Sequence, residues 1–332
     1  MSQKILSISV AAYNLGEMID DNLKSFCDKR FIDDIEVLVI NDGSTDDTAE
    51  RAQKYAKKYP KSIKVITQKN AGPGATVNTG IKNATGKYFR TVDGDDWVNN
   101  DDMAALVKNL KEVDVDVVFT NYTPYHQGQK AYKDTVAIKN MPVGEVFDFA
   151  DYVYEYNPPL RMHHTIFRTE IMKKHVKVDN GFYTDAEYMF YPTPYLKTAV
   201  FFDLNIYQYR VGLPGQSTSP EKLRTNLSRH RHILDRLLSF YNKEIKKLSP
   251  NVANYLSLQV SGFVINHLDN QLLAHNKTMV EDVKALYKEI EEKYPILYET
   301  LKEDRKSRLV LKSNYLLVKP LSFYLRERYK HI

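Results

Sequence analysis

The sequence predicts an α/β protein with a mainly parallel sheet and flanking helices, followed by a C-terminal α-helical region. Over the first hundred residues, runs rich in Ile and Val alternate with segments of helical periodicity. This alternation is typical of right-handed βαβ units. Beyond residue 220 only long helical patterns remain. With 332 residues, the chain can form one large domain or two ordinary ones.

The predicted elements follow one another in a regular order. Their Ile, Val and aromatic content predicts four strands, at residues 4–14, 34–42, 62–70 and 87–92. Helical patterns lie between these strands, from about Gly16 to Cys27, over 44–59 with Ser44 as the expected N-cap, and over 74–85. A further strand is expected near residue 118, and short strands such as 199–210 in the irregular part that follows. The C-terminal helices are expected at 221–248, 251–275 and 280–303.

Composition excludes several classes of protein. The formal net charge of +5 is too small to indicate a nucleic-acid partner. The single cysteine, Cys27, excludes an internal disulfide and fits a reducing compartment. The first residues lack the pattern of a signal peptide, and no apolar run reaches the length of a spanning helix. We therefore expect a cytoplasmic protein that is not integral to a membrane.

Four predicted strand ends carry polar side chains, and the carboxyl ends of parallel strands share one edge of a sheet. The residues are Tyr13 and Asn14, Asn41 and Asp42, Asn70, and the group Asp93, Asp95 and Asp96. Three carboxylates within four residues repel one another unless a cation is nearby. Oxygen ligands around a tight turn suit Mg²⁺ or Mn²⁺ that is shared with a diphosphate.

Three familiar ligand-binding motifs are excluded by position. Val77 stands where the third glycine of a dinucleotide fingerprint belongs, and Tyr88 replaces the Ser or Thr of a P-loop. A calcium loop beginning at Asp93 would have Val98 and Ala104 at positions that require Gly and Glu. The acids around Asp93 therefore belong to another kind of site.

Four segments of the sequence resemble the successive blocks of glycosyltransferase family 2, of the bacterial surface-polysaccharide type. They are SVAAYNLGEMIDDNLKSF, IEVLVINDGSTDDT, NAGPGATVNTGIKNATGKY and VDGDDW. The resemblance covers about residues 5–105 strongly and continues more weakly to about 218. It implies the Rossmann-like GT-A fold and a nucleotide-diphosphate-sugar donor, expected to be a UDP-sugar. It also implies a divalent metal, Mn²⁺ or Mg²⁺, and inversion by direct displacement.

The resemblance assigns roles to residues at the donor side. Asp42 would hydrogen-bond the base, and Asp93 and Asp95 would hold ribose and metal, with Asp95 as the direct ligand. Val77 departs from the family, which often has arginine at this position. The donor positions together are Ala12, Tyr13, Asn14, Asp42, Asn70, Gly72, Asp93 and Gly94.

An inverting transfer also needs a carboxylate that takes the proton from the acceptor hydroxyl. Asp185 lies in the position of the family's later acidic motif. Alternatively, Thr184 and Glu187 form a capping box, and Asp185 is an ordinary acid in the first turn of a helix. The two interpretations can hold together, because a capped helix end would fix the base rigidly.

Several further residues are weaker candidates. Arg210 would neutralise the leaving diphosphate, or it is a solvated arginine at a strand end. Acceptor contacts are assigned to His163, His164, Asp96 and Ser217, although such histidines are more often satisfied polar residues within the fold.

The resemblance suggests a GT-A catalytic domain at 1–219, with a nucleotide-sugar half at 1–105 and an acceptor half at 106–219. An α-helical domain at 220–332 would follow, and it could form a homodimer surface. The expected acceptor is a glycan or lipid-linked saccharide, and the transferred group a hexosyl or N-acetylhexosaminyl residue. The basic tail fits peripheral contact with the inner face of the membrane or packing on the catalytic domain, and Pro320 excludes a single long helix there.

Two alternatives to a glycosyltransferase stay open on the sequence. A sugar-1-phosphate nucleotidyltransferase also needs a metal and a nucleotide, but it would want a glycine-rich, arginine-bearing loop after the first strand. A non-catalytic carbohydrate-binding or scaffold protein could keep the fold, but it would not need the metal-binding acids.

Overall fold

The computed structural model describes residues 3–126, 135–212, 222 and 225–329. The chain divides into two compact units, Met1–Leu213 and Pro214–Ile332. The predicted domain boundary between residues 219 and 220 lies outside the described residues.

The described part of the first unit contains nine strands and seven α-helices. The strands are β1 Leu6–Ala12, β2 Ile35–Asn41, β3 Ile63–Thr67, β4 Tyr88–Asp93, β5 Trp97–Val98, β6 Val117–His126, β7 Val146–Asp148, β8 Thr165–Arg168 and β9 Thr198–Val211. The helices are α1 Met18–Ser25, α2 Thr48–Lys58, α3 Pro73–Asn83, α4 Asn100–Glu112, α5 Phe149–Tyr156, α6 Thr169–His175 and α7 Asp185–Phe190.

The strands form one mixed sheet of mostly parallel strands, in the order β3-β2-β1-β4-β8-β6-β9-β5, with β7 beside β9. The strands β1, β2, β3, β4, β6 and β9 share one direction, and β5, β7 and β8 run against them. Every residue of β2 is buried, as expected for a strand covered by helices on both faces. The predicted fold class is therefore confirmed.

The start of α2 differs from the prediction. The helix begins at Thr48, and Ser44 lies in the preceding loop rather than at the N-cap. There the backbone N–H of Ser44 donates to the side chain of Asn41, and its hydroxyl accepts from the N–H of Asn14. The prediction was wrong because Ser44 joins the loops after β1 and β2 instead of capping a helix.

The second unit is helical in its described residues. Its helices are α8 Leu227–Glu244, α9 Pro250–Ala274, α10 Met279–Lys293, α11 Pro295–Glu303, α12 Arg305–Lys312 and α13 Val318–Tyr329. The long α9 packs against α8, α10, α11 and α13 and buries residues around most of its circumference, as a central helix does. In the described part of the chain, no helix has both the length and the apolar character needed to cross a membrane.

The tail is interrupted as predicted, but at a different place. The chain leaves α12 after Lys312, and both Asn314 and Tyr315 have positive φ. Pro320 instead lies in the first turn of α13, where a missing backbone N–H costs no helical hydrogen bond.

Candidate active site

Three carboxylates meet where β4 ends. Asp93 is the last residue of β4, and Asp95 and Asp96 lie in the turn that leads to β5. Each contributes an oxygen to a group whose members all lie within 4.8 Å of one another. The turn packs tightly on β1, because a Cβ at Gly94 would lie 2.6 Å from the carbonyl oxygen of Ala11.

The electrostatics of this group call for a cation. Burial, with smaller contributions from the charges of Asp95 and Asp185, raises the pKa of Asp93 to about 7. Burial also raises the pKa values of Asp95 and Asp96. Closely spaced carboxylate oxygens are the donors that Mg²⁺ and Mn²⁺ prefer. The donor set therefore fits the metal that the family resemblance implies.

Asp96 has a different environment from the other two acids. It is only 1% exposed, and its carboxylate accepts a hydrogen bond from the Tyr207 hydroxyl at 2.6 Å and another from the backbone N–H of Arg210 at 2.6 Å. The Tyr207 hydroxyl in turn accepts from the N–H of Asp93. Because its carboxylate faces inward, Asp96 braces the turn, and the expected acceptor contact there is not supported.

Two polar residues that the sequence analysis missed hold the same turn. Asn22 of α1 is fully buried, and its amide donates to the carbonyl oxygens of Asp93 and Asp96 at 3.0 and 2.8 Å. Tyr207 lies on β9, more than one hundred residues along the chain. The sequence did contain a signal for Asn22, because this residue lies among the apolar positions of an amphipathic helix. Burying a side-chain amide there costs free energy unless the amide is hydrogen-bonded.

Arg210 lies directly beside the acids. Its Nε donates to the carbonyl oxygen of Asp95 at 2.8 Å, and one terminal nitrogen lies 3.2 Å from the carboxylate of Asp21. The guanidinium also stacks over Trp97, 4.9 Å from the ring centroid. The Arg210 side chain is only 14% exposed. This burial and these contacts exclude the alternative that Arg210 is a solvated arginine at a strand end.

Asp42 organises the loop that follows β3. Its carboxylate accepts hydrogen bonds from the Gln68 side chain and from the backbone N–H groups of Ala71 and Gly72, at 2.8 to 3.2 Å. These bonds use most of the acceptor capacity of the carboxylate. Contact with a nucleotide base stays a prediction for Asp42.

The remaining donor-side residues lie at the same edge of the sheet. Ala12 is buried at the end of β1, whereas Tyr13 is 49% exposed. Asn14 adopts a left-handed conformation, and its side chain accepts from the N–H of Thr45 in the loop after β2. Asn70 is exposed in the loop after β3. The predicted donor residues are therefore neighbours in space, as parallel strands require.

The loop before α7 packs against the start of α3. The backbone N–H of Gly74 donates to the carbonyl oxygen of Asn180 at 2.9 Å. A Cβ at Gly74 would lie 1.8 Å from the carbonyl oxygen of Asp179, so only glycine permits this approach. The contact brings Asp185, the first residue of α7, to the edge of the sheet that carries Asp93.

The side chain of Asp185 is exposed to solvent, and desolvation by the protein around it raises its pKa. Its charge contributes to the raised pKa of Asp93, so the two acids belong to one electrostatic group. The alternative of a capping box is wrong. The Thr184 side chain makes no cap bond, and Glu187 is buried, where it accepts from the N–H of Asp179.

The two adjacent histidines lie in the interior. His164 is fully buried, and its Nδ1 donates to the carbonyl oxygen of Thr120 at 2.6 Å. His163 packs among tyrosine rings, with both ring nitrogens buried and without a partner among the described residues. Since neither ring offers a nitrogen to solvent, acceptor contacts at these positions are not supported. Ser217 lies outside the described residues.

The sequence profile of Glycosyl transferase family 2 matches residues 7–175. Uncharacterized glycosyltransferase EpsJ of Bacillus subtilis is 34% identical over 128 residues, which cover 39% of this chain and 37% of EpsJ. Glycosyltransferase GlyA of Streptococcus pneumoniae is 32% identical over 124 residues, 37% of this chain and 18% of GlyA. The matched segments thus span well under half the length of these relatives.

The fold also resembles a solved structure over nearly its whole length. S. aureus TarS 1-349 in complex with UDP-GlcNAc aligns over 95% of this chain and 90% of that chain, with a TM-score of 0.62 and 18% identity. At this identity the similarity concerns the fold alone, which is the GT-A fold with a C-terminal helical region.

Proposed function

Because this chain belongs to glycosyltransferase family 2, we propose that it transfers a sugar from a nucleotide-diphosphate sugar to a hydroxyl group of an acceptor. The observation that carries the proposal is the group of carboxylates at the end of β4, Asp93, Asp95 and Asp96, together with Asp185, whose charge contributes to the raised pKa of Asp93. The acids that a transfer needs at its donor side and at its acceptor side are thereby close together.

At the donor side, Asp95 together with Asp93 would hold Mg²⁺ or Mn²⁺. The metal would supply positive charge to the diphosphate oxygens of the donor. Asp96 takes no direct part in this proposal. Its bonds to Tyr207 and to the backbone of Arg210 support it as the residue that keeps the turn in shape.

Arg210 is proposed to stabilise the negative charge that develops on the leaving diphosphate. Its fork of donors suits phosphate oxygens, and stacking on Trp97 restricts the orientation of the guanidinium. A side chain that is already ordered loses little conformational freedom when the diphosphate forms.

Asp185 is proposed as the general base. It would accept the proton of the acceptor hydroxyl while the hydroxyl oxygen forms a bond to the anomeric carbon. The bond from that carbon to the diphosphate oxygen breaks on the opposite face, so the configuration inverts and the electron pair leaves with the diphosphate. A raised pKa makes Asp185 a stronger base than an ordinary aspartate.

We propose a UDP-sugar as the donor and UDP-GlcNAc as the first to test, because TarS, which shares the fold, has been solved with it. The proposed acceptor is a glycan or lipid-linked saccharide of a surface polysaccharide, as implied by the family resemblance. The transferred group would be a hexosyl or N-acetylhexosaminyl residue. We propose a cytoplasmic location, for which the single cysteine is the support.

The first experiment measures thermal stability with a panel of nucleotide sugars, each with and without Mn²⁺. A ligand at 100 times its Kd stabilises the folded state by about 2.7 kcal/mol, which is an easily measured shift. Nucleotide sugars that produce a metal-dependent shift are then tested for release of the nucleoside diphosphate in the presence of saccharide acceptors.

Two variants separate the proposed roles. Asp95→Asn should lose both the metal-dependent shift and transfer. Asp185→Asn should keep the shift and lose transfer by about 10²- to 10⁴-fold, the usual contribution of a general base. Asp33→Asn, at an exposed acid of the same unit, is the matched control. Full transfer activity in both active-site variants would refute the assignment of these residues.

A further inference from the structure

The C-terminal segment 305–329, here called the basic segment, concentrates the positive charge of the chain. It contains seven Lys and Arg residues and one acid, so it carries a charge of +6, whereas the whole chain carries +5. The rest of the protein is therefore close to neutral. The proposed transfer reaction makes no use of this segment.

The basic segment exposes large apolar side chains as well as charges. Leu316 is 80% exposed, Phe323 67%, Tyr324 60% and Leu309 41%. Exposed phenylalanine and leucine side chains of this size cost free energy in water unless something covers them. A stretch that exposes them beside a high density of charge is typical of an interaction surface.

The helix α13 has two different faces. Val318 and Ser322 are buried, and the Ser322 hydroxyl donates to the carbonyl oxygen of Leu272 in α9. At 100° per residue, the opposite side of the helix carries exposed residues. These are Lys319, Pro320, Phe323, Tyr324 and Arg328. The outer face thus places two aromatic rings between two cations.

The cations of the basic segment are available to a partner. Arg305, Arg308, Lys312, Lys319 and Arg328 are all exposed, and none forms an ion pair with another described residue. Lys306 differs from them, because it pairs with Asp269 of α9. Five unpaired positive charges on one short segment create a field that attracts a polyanionic surface.

We propose that the basic segment binds the surface of a membrane that contains anionic lipid. Aromatic and leucine side chains enter the interface between headgroups and acyl chains, while Lys and Arg remain among the headgroups. This combination favours a lipid surface over a second copy of the chain, because two segments of charge +6 repel each other. The segment would rest on the membrane and not cross it, in line with the length and polarity of its helices.

The test is co-sedimentation of the full chain with lipid vesicles at about 0.1 M NaCl, where electrostatic screening is moderate. We expect binding to vesicles of equal parts phosphatidylcholine and phosphatidylglycerol, and little binding to phosphatidylcholine alone. Raising the salt to about 1 M should release most of the protein. No nucleotide sugar is present, so the result is independent of the proposed transfer reaction.

Two pairs of variants assign the binding to this segment. Lys312→Gln with Lys319→Gln should weaken binding by about fivefold per charge. The control, Lys243→Gln with Lys288→Gln, removes two exposed cations from α8 and α10 and should change little.

Phe323→Ser with Tyr324→Ser should weaken binding by at least about tenfold, because both rings lose their place in the interface. The control is Ile296→Ser, at a residue that is 54% exposed on α11. Circular dichroism checks that each variant keeps its helices.

Three results would overturn the proposal. The first is wild-type protein that stays in the supernatant with anionic vesicles. The second is equal loss of binding in the variants and in their controls. The third is an oligomer, measured by analytical ultracentrifugation, that the Phe323→Ser and Tyr324→Ser substitutions dissociate, because a second copy would then cover the surface.

Discussion

Replacing Asp93 by asparagine should make the metal-free protein more stable while removing a proposed metal ligand. The carboxylate of Asp93 lies within 4.8 Å of those of Asp95 and Asp96, and within the described residues it accepts no hydrogen bond. Without a cation, ionisation of Asp93 opposes folding, because the charge is partly buried and close to like charges. Asparagine has nearly the same shape and carries no charge.

The magnitude follows from the pKa of Asp93, which rises from an ordinary 3.8 to about 7 in the folded protein. Because the folded value is the higher one, the contribution to stability is full below pH 3.8 and is lost as the pH rises to 7. The complete difference corresponds to roughly 4 kcal/mol. This is an upper limit, since solvent screens the charges of these partly exposed acids. We expect about 1 to 2 kcal/mol at pH 8.

The assay is thermal unfolding in EDTA at pH 5, 6.5 and 8. Each kcal/mol should raise the midpoint by about 2 to 4 °C for a unit of this size. The gain of Asp93→Asn over wild type should grow with pH and be complete at pH 8. Addition of Mn²⁺ should stabilise the wild type more than the variant. A variant that is no more stable than wild type at pH 8, or whose gain does not depend on pH, would refute this reasoning.

Three further substitutions test how the site and the central helix α9 are stabilised. Tyr207→Phe removes the hydroxyl that donates to Asp96 at 2.6 Å. We expect the free energy of unfolding, measured in urea, to fall by about 1 to 3 kcal/mol, and Mn²⁺ binding, measured by calorimetry, to weaken. An unchanged Mn²⁺ affinity would contradict the role of Tyr207 in bracing the turn. Gly74→Ala places a Cβ 1.8 Å from the carbonyl oxygen of Asp179, and urea unfolding should measure a loss of about 1 to 3 kcal/mol, with reduced transfer. Gly262→Ala lies at an exposed position of α9, where an added Cβ would have no neighbour within 4 Å outside its own stretch of helix. It should instead add about 1 kcal/mol by the same measurement, and a loss of stability would contradict the open surroundings of this position.

The order of strands and helices in the first hundred residues could be predicted because it depends on local patterns. Alternation of buried β-branched runs with helical periodicity requires a parallel sheet covered by helices. In such a sheet the carboxyl ends of the strands share one edge. Asn14, Asp42, Asn70 and Asp93 were therefore predicted to be neighbours without any coordinates, and they lie at that edge.

The prediction of helix caps from residue type failed where the side chain forms a hydrogen bond outside the helix that follows it. Ser44 and Thr184 are good helix caps by residue type, yet neither caps the helix that follows it. Ser44 bonds the loop after β1, and Glu187 of the expected capping box is buried against the loop before α7. The Ser44 bond joins residues 30 positions apart. In contrast, the Thr184 hydroxyl donates to the carbonyl oxygen of Gly181, three residues before it, and Glu187 accepts from the N–H of Asp179, eight residues before it. The residue types alone do not show which of the possible partners a side chain takes.

The sequence by itself determined which residue types reach the edge of the sheet, because strand direction and periodicity place them there. Only the tertiary structure decided what each acid does. Asp42 holds the loop after β3, and Asp96 is turned inward by a hydrogen bond from Tyr207, 111 residues away. The pKa of Asp93 is raised by burial and by the charges of Asp95 and Asp185. Burial and long-range hydrogen bonds set the charge and orientation of a carboxylate, and both depend on residues that are brought together only when the chain folds.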